Sequence, residues 1–183
     1  MELLEQIPDL AAAAAAVSGG GLIGGLGISL KARRPAIRVI GVSAENAASM
    51  AASVHAGHPI DVPYQDTLAD VLPGGIGLQN RWSFDVVRRS VDDHVLVTER
   101  EIALAMRFAL FTHRILAEGG GAAAIAAALA GKLQSPAGPV VIIVSGGNVD
   151  PAVVIAQRAR SAEVIGVPTA IHGGSMPTDA SKP

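Results

Sequence analysis

Continuous apolar runs and amphipathic stretches alternate along this chain. The runs at residues 37–42, 95–97 and 140–144 predict buried strands of a parallel sheet, because such strands are covered on both faces. The six alanines at residues 11–16 fit the end of a helix by propensity, but they also fit a buried strand. The glycine turn that follows them favours the strand.

Amphipathic stretches between these runs predict the end of a helix at residues 2–7, helices at 22–34, 47–56 and 84–90, a long helix from residue 98, and a last helix at 150–160. An alanine-rich helix is predicted at 122–130, and a glycine segment at 118–121 separates it from the long helix. Asn46 and Ser83 are expected to cap the helices that follow them, and Thr98 and Glu101 have the spacing of a capping box. Residues 59–82 are predicted to be irregular, at a length typical of functional loops.

Strands that alternate with helices predict an α/β fold of three layers, with an open and mostly parallel sheet between helices. We expect one domain over residues 1–160 and a poorly ordered tail at 161–183, where the pattern decays into small and polar residues. Ligands in such folds bind at the carboxyl ends of the strands. The glycines at 19–21 and 146–147 both follow predicted strands, so one pocket could use both clusters.

Composition excludes several classes of function. The formal charge of −2 gives no electrostatic footprint for nucleic acid, and the absence of cysteine excludes disulfides and thiolate metal sites. The apolar runs are too short to span a membrane, and the acidic first residues differ from the basic start of a signal peptide. We therefore expect a cytoplasmic protein with no nucleic-acid or membrane partner.

The segment V-S-G-G-G-L-I-G-G at residues 17–25 predicts a seat for a phosphate group. Consecutive glycines between a strand and a helix leave backbone N–H groups free, and the helix N-terminus adds partial positive charge. The segment lacks the Lys-Ser/Thr ending of a P-loop and the spacing of the dinucleotide fingerprint. These residues alone leave the kind of phosphate open.

Four motifs follow one another along the chain: the glycine loop at 18–22, I-G-V at 40–42, V-D-D and V-T-E-R-E-I within 91–102, and S-G-G-N-V-D at 145–150. In this order and spacing they resemble the second half of fold-type II pyridoxal-phosphate enzymes, the serine/threonine dehydratase and serine racemase family. The resemblance covers residues 2–160. It implies the large domain of the tryptophan synthase β-like fold, with pyridoxal 5'-phosphate as cofactor.

The resemblance also implies roles for individual residues. It assigns the cofactor phosphate to the backbone N–H groups of Ser18, Gly19, Gly20, Gly21 and Leu22. Ser145 would lie beside the pyridine nitrogen, where a neutral hydroxyl leaves that nitrogen largely unprotonated and the ring a weaker electron sink, which favours β-elimination. Glu118 matches a family carboxylate near the cofactor; the alternative is a solvated acid at a helix end.

One loop is similar to a particular subgroup. The segments L-A-D at 68–70 and G-G-I-G-L-Q-N-R at 74–81 resemble dehydratases of hydroxyectoine utilisation. The family implies a homo-oligomeric lyase that removes water and then ammonia from a 3-hydroxy amino acid, threonine- or serine-like or derived from hydroxyectoine, and leaves a keto acid. A non-catalytic phosphate-binding module and a decayed pseudo-enzyme are the alternatives.

Two departures from the family pattern concern the lysine and the metal. The family's Schiff-base lysine lies in a Ser-x-Lys-x-Arg-Gly-Ala-like setting, and none of Lys31, Lys132 and Lys182 does. The chain is therefore expected to be a fragment that is inactive alone. Some relatives hold a divalent cation with two acids where this chain has Ser43 and Ser49, so no metal is predicted.

Overall fold

The alanine run lies at the centre of a four-stranded parallel sheet, in a computed structural model that describes residues 2–80, 82–134 and 137–156. The strands are β1 (Ala12–Ala16), β2 (Arg38–Ala44), β3 (Asp93–Val97) and β4 (Val140–Ile142). β1 pairs with β2 on one side and with β4 on the other, and β3 lies beyond β2. The prediction of a strand at the alanines is confirmed.

Helices connect the strands and cover both faces of the sheet. In the described part of the chain they are α1 (Glu2–Gln6), α2 (Gly21–Lys31), α3 (Ser49–Ala56), α4 (Ser83–Ser90), α5 (Glu99–His113), α6 (Gly119–Leu129) and α7 (Pro151–Ala156), with a 3-10 turn at Glu45–Ala47. The predicted three-layer α/β fold is confirmed. The end of the last predicted helix and the predicted tail at 161–183 lie outside the described residues.

Alternation along β1 divides the core into two halves. Ala14 packs with Ile102 of α5 and with the alanines of α6 on one face of the sheet. Ala13 belongs to the opposite face, with Ile23 of α2 and Val87 of α4. Because methyl side chains occupy little volume, both helix layers can pack close to the sheet.

Two of the predicted helix caps are wrong. Asn46 does not cap α3, because a 3-10 turn separates them and its side-chain amide donates instead to the carbonyl of Asp66 at 2.9 Å. Ser83 is the first residue of α4 rather than its cap. The side-chain oxygen of Asn80 accepts the N–H of Phe84 at 3.0 Å and so takes the capping role.

The predicted starts of the helices at 98 and 122 have opposite outcomes. The capping box of Thr98 and Glu101 is confirmed, with both reciprocal hydrogen bonds present. The glycines at 119–121 do not delay the start of the alanine-rich helix, because α6 begins at Gly119. A Cβ at that residue would lie 2.0 Å from the carbonyl oxygen of Leu68, so glycine is required there by a neighbouring backbone.

Within the described ranges, no helix is both long enough and apolar enough to cross a membrane.

Candidate functional site

The glycines after β1 form a turn with space on its outer side. Gly20 has a φ of +88°, and a Cβ there would lie 2.7 Å from Cγ2 of Val87 in the core. At Gly19 and Gly21, a Cβ would meet no other heavy atom within 4 Å. The turn and the core beneath it therefore require Gly20, whereas its two neighbours border open space.

The N-terminus of α2 faces this turn and is not capped by a side chain. The first N–H groups of a helix have no partner within the helix, and together they carry about half a unit of positive charge. An anion at the turn would therefore be met by backbone donors, without a side chain in between.

A cavity of ≈190 Å³ opens beside the turn, at the carboxyl ends of β1 and β4. Its lining consists of Ala16, Ser18, Gly19, Gly20, Gly21, Leu22, Val71, Leu72 and Ser145. The structure thus brings the glycine loop and Ser145 into one cavity, although Leu22 and Ser145 are 123 positions apart in the sequence. None of these lining residues is ionisable, so a bound phosphate would rely on backbone N–H groups and the helix dipole.

Sequence analysis missed Val71 and Leu72 as lining residues. The hydroxyl of Ser18 donates to the carbonyl of Leu72 at 3.0 Å, which ties this loop to the glycine turn. The hydroxyl of Ser18 is therefore committed to the fold, and its backbone N–H is the group left for an anion. The signal for the loop was its similarity to family motifs at 68–70 and 74–81, which flank the lining residues.

Glu118 contacts the loop that carries Ser145 but does not line the glycine cavity. It is half-buried and lines a neighbouring cavity of ≈290 Å³. Its carboxylate accepts the N–H of Asn148 at 3.0 Å, and its own N–H donates to the carbonyl of Gly146 at 3.1 Å. The structure thus places the Glu118 carboxylate against backbone and outside the lining of the glycine cavity, and its expected place near the cofactor stays a prediction.

Both lysines in the described ranges are engaged in ion pairs away from the cavity. The ammonium of Lys31 lies 2.7 Å from the carboxylate of Asp92. That of Lys132 lies 2.7 Å from Glu101 and also donates to the carbonyl of Leu96 at 3.0 Å. Lys182 lies outside the described residues. Neither described lysine is placed to form a covalent bond with a ligand in the glycine cavity.

Ser43 and Ser49, which stand where the resemblance places the metal-binding acids of some relatives, are buried. The hydroxyl of Ser43 donates to the carbonyl of Val17 at 3.1 Å, so it serves the contact between β2 and the glycine turn. No group of three or more potential metal-ligating side chains lies together among the residues the structure describes.

The cavity fits two ends of pyridoxal 5'-phosphate. Open backbone at Gly19 and Gly21 suits the phosphate, and the exposed hydroxyl of Ser145 suits a ring nitrogen. The described residues do not supply the lysine to which such a cofactor is usually linked.

Comparison with known proteins identifies the family. Residues 1–146 match the family described as "Pyridoxal-phosphate dependent enzyme". The chain is 40% identical over 154 residues to L-threonine ammonia-lyase of Thermotoga maritima, a match that covers 82% of this chain and 37% of the relative. It is 39% identical over 152 residues to the catabolic L-threonine dehydratase TdcB of Escherichia coli, covering 82% and 46%.

Solved structures agree with the sequence match. The structure of maize serine racemase superposes with a TM-score of 0.76 at 35% identity and covers 87% of this chain and 50% of that one. Threonine deaminase isoform 2 of Solanum lycopersicum gives a TM-score of 0.77 at 31% identity, covering 88% and 47%. The chain spans about half the length of these relatives or less. It belongs to the family of pyridoxal-phosphate dependent enzymes.

Proposed function

We propose that this chain forms the part of a hydroxy amino acid dehydratase that holds the phosphate and the ring nitrogen of pyridoxal 5'-phosphate. The observation that carries the proposal is the single cavity that joins the uncapped N-terminus of α2, the open glycine turn and Ser145. L-Threonine ammonia-lyase and threonine dehydratase among the relatives support the reaction class.

Each of these groups has a distinct chemical role in the proposal. The backbone N–H groups from Ser18 to Leu22 would bind the phosphate, and the dipole of α2 would favour its negative charge. The hydroxyl of Ser145 would hydrogen-bond the pyridine nitrogen without giving it a full positive charge. Bound pyridoxal phosphate supplies an electron sink for bond cleavage at the substrate's α-carbon. A neutral nitrogen partner weakens that sink, which favours prompt loss of the 3-hydroxyl group.

The proton at the α-carbon requires a base that the described residues near the cavity do not provide. We propose that a lysine outside the described residues, on a segment corresponding to the other half of the relatives, carries the cofactor and moves this proton. The complete enzyme would act on a small 3-hydroxy amino acid as a cytoplasmic homo-oligomer. The segments at 68–70 and 74–81 support a substrate of the hydroxyectoine pathway within that class.

Binding of pyridoxamine 5'-phosphate tests the cofactor site, since its amine cannot condense with a surface lysine. Gly19→Val and Gly21→Val add bulk where the protein leaves open space, so they should block phosphate approach without a clash inside the fold. We expect binding by calorimetry to weaken at least about tenfold in both variants, as for the loss of one charge-assisted hydrogen bond.

Gly25→Val is the matched control, because Gly25 lies one turn further along α2 and a Cβ there also meets no atom within 4 Å. It should bind like the parent chain. Unchanged affinity in both Gly19→Val and Gly21→Val would place the phosphate elsewhere and refute the proposed site. The reaction class is tested separately, by release of a keto acid from L-threonine when a lysine-bearing segment of a relative is supplied.

A further inference from the structure

Glu118 forms two hydrogen bonds with the loop from Ser145 to Asn148. The carboxylate oxygen Oε2 of Glu118 accepts the N–H of Asn148 at 3.0 Å. The backbone N–H of Glu118 donates to the carbonyl of Gly146 at 3.1 Å. One residue therefore binds the loop at two points directly after Ser145, and one of the two bonds has a charged acceptor.

Close packing leaves this loop little freedom to take another position. A Cβ at Gly146 would lie 2.2 Å from Oε1 of Glu118, and a Cβ at Gly147 would lie 2.6 Å from the carbonyl oxygen of Leu116. A Cβ at Gly121 would lie 2.2 Å from the carbonyl oxygen of Gly146. The absence of side chains lets the loop press against the start of α6, so its backbone is fixed by contact as well as by hydrogen bonds.

Glu118 and Ser145 line different cavities. Ser145 lines the glycine cavity, whereas Glu118 lines the neighbouring cavity together with Thr67, Asp70 and Asn148. Glu118 is the residue before α6 and could have capped that helix, but no side-chain cap is formed there. Its carboxylate is instead used on the Asn148 N–H, which points to a role in the loop.

We infer that Glu118 is a positioning residue, which holds the loop at 145–148 so that the Ser145 hydroxyl stays at the ring-nitrogen end of the glycine cavity. The inference rests on the proposed role of Ser145 as partner of the pyridine nitrogen. Glu118 would raise the affinity for the ligand by fixing the position of Ser145, without itself contacting the cofactor.

A double-mutant cycle on the full chain tests this, with pyridoxamine 5'-phosphate as the ligand. Ser145→Ala removes the hydroxyl, and Glu118→Ala removes the acceptor that holds the loop. Each single variant should bind about tenfold more weakly, and the double variant should bind no more weakly than Ser145→Ala. Glu118→Gln keeps an acceptor oxygen and should recover part of the lost affinity.

Asp150→Ala is the matched control. Its carboxylate accepts the N–H of Ala152 at 2.8 Å, so the substitution removes a comparable bond and the same charge two residues beyond the loop at 145–148. It should leave the affinity and the coupling unchanged. An equal loss in Asp150→Ala would show that charge alone matters and would overturn the inference.

The outcomes separate this inference from the proposed function. No effect of Ser145→Ala would refute the role of Ser145 itself. A loss in Ser145→Ala with no loss in Glu118→Ala, or with additive losses, would refute only the positioning role. In ligand-free protein, Glu118→Ala should also raise hydrogen exchange at the Asn148 amide about tenfold, as for the loss of one hydrogen bond, and shift the Ser145 amide resonance. Unchanged exchange and resonance would overturn the inference whatever the ligand does.

Discussion

The two glycine segments of this protein use the same residue for opposite purposes. At Gly19 and Gly21 the missing side chain leaves open space at the surface of a cavity. At Gly119 and Gly121 it lets backbone approach backbone, since a Cβ would lie 2.0 Å and 2.2 Å from carbonyl oxygens of Leu68 and Gly146. The first segment borders open space, and the second packs against neighbouring loops. Glycine content alone does not distinguish a binding loop from a packing contact.

The largest effect should come from filling the packed segment. Gly121→Val places a branched side chain against the carbonyl of Gly146, a backbone atom that cannot move without displacing the loop of Ser145. We expect a loss of about 3 kcal/mol or more in unfolding free energy by urea titration. Gly25→Val, an equal change on the open face of α2, controls for helix propensity and β-branching. Equal losses in the two variants would erase the distinction between the segments.

A smaller loss of unfolding free energy, about 1–3 kcal/mol, is expected for Gly20→Ala. Gly20 belongs to the open turn, but its own Cβ position is packed against the core. Its φ of +88° is strained for alanine, and the new Cβ would meet side-chain atoms of Val87 and Met50 at 2.7 and 2.9 Å. Side chains can move where a backbone carbonyl cannot, so the loss should be less than for Gly121→Val. Gly19→Ala should change the unfolding free energy by no more than about 0.5 kcal/mol. A greater loss in Gly19→Ala than in Gly20→Ala would contradict the geometry of the turn.

Features that neighbouring residues determine could be predicted from the sequence, whereas features that depend on distant residues could not. The capping box of Thr98 and Glu101 was predictable because both partners lie within one helical turn. The alanine strand was predictable from the glycines next to it. The start of α6 was not, because Gly119 is required by Leu68, 51 positions earlier in the chain.

The candidate site shows the same limit. Residues of the glycine loop and Ser145 were named from motifs, and the structure places them around one cavity. The contact of Glu118 with Asn148, by contrast, joins two segments across 30 positions, and nothing local in either segment indicates it. Asn80 caps α4 in place of Ser83 for a related reason. Either side chain can cap a helix, and the path of the loop determines which of the two lies at the helix N-terminus.

A loss of about 1 kcal/mol should follow Thr98→Ala, which removes the hydroxyl that accepts the N–H of Glu101. The cap of this helix is formed by local bonds, in contrast to the start of α6, where a distant backbone requires glycine. The unfolding free energy by urea titration measures it. Ser83→Ala is a useful comparison, because the cap of α4 is provided by Asn80 and the loss should be smaller. A larger loss at Ser83 would restore the original interpretation of that residue as a cap.

The smallest expected effect concerns His94, whose ring packs over another glycine, Gly41 of β2. Both ring nitrogens are buried and have no hydrogen-bond partner in the described part of the chain. Burial lowers the pKa of His94 below its ordinary value of 6.5, and the neighbouring Asp93 carboxylate partly offsets this. The unfolded chain therefore binds a proton at a higher pH than the folded chain does. Stability from this residue is fully present above pH 6.5 and is lost as the pH falls through the lowered folded pKa.

A second acid-sensitive group separates this effect from general acid unfolding. Burial raises the pKa of Glu101, but hydrogen bonds from Lys132 and Thr98 outweigh it, so the net pKa is lowered from 4.5. Its stabilisation is lost only below pH 4.5, at lower pH than that of His94. His94→Gln should therefore remove the change in unfolding free energy that begins below pH 6.5 and leave the change below pH 4.5 in place. Urea titrations at a series of pH values measure both, and an unaltered slope between pH 6.5 and 4.5 in His94→Gln would show that the buried ring does not couple stability to pH.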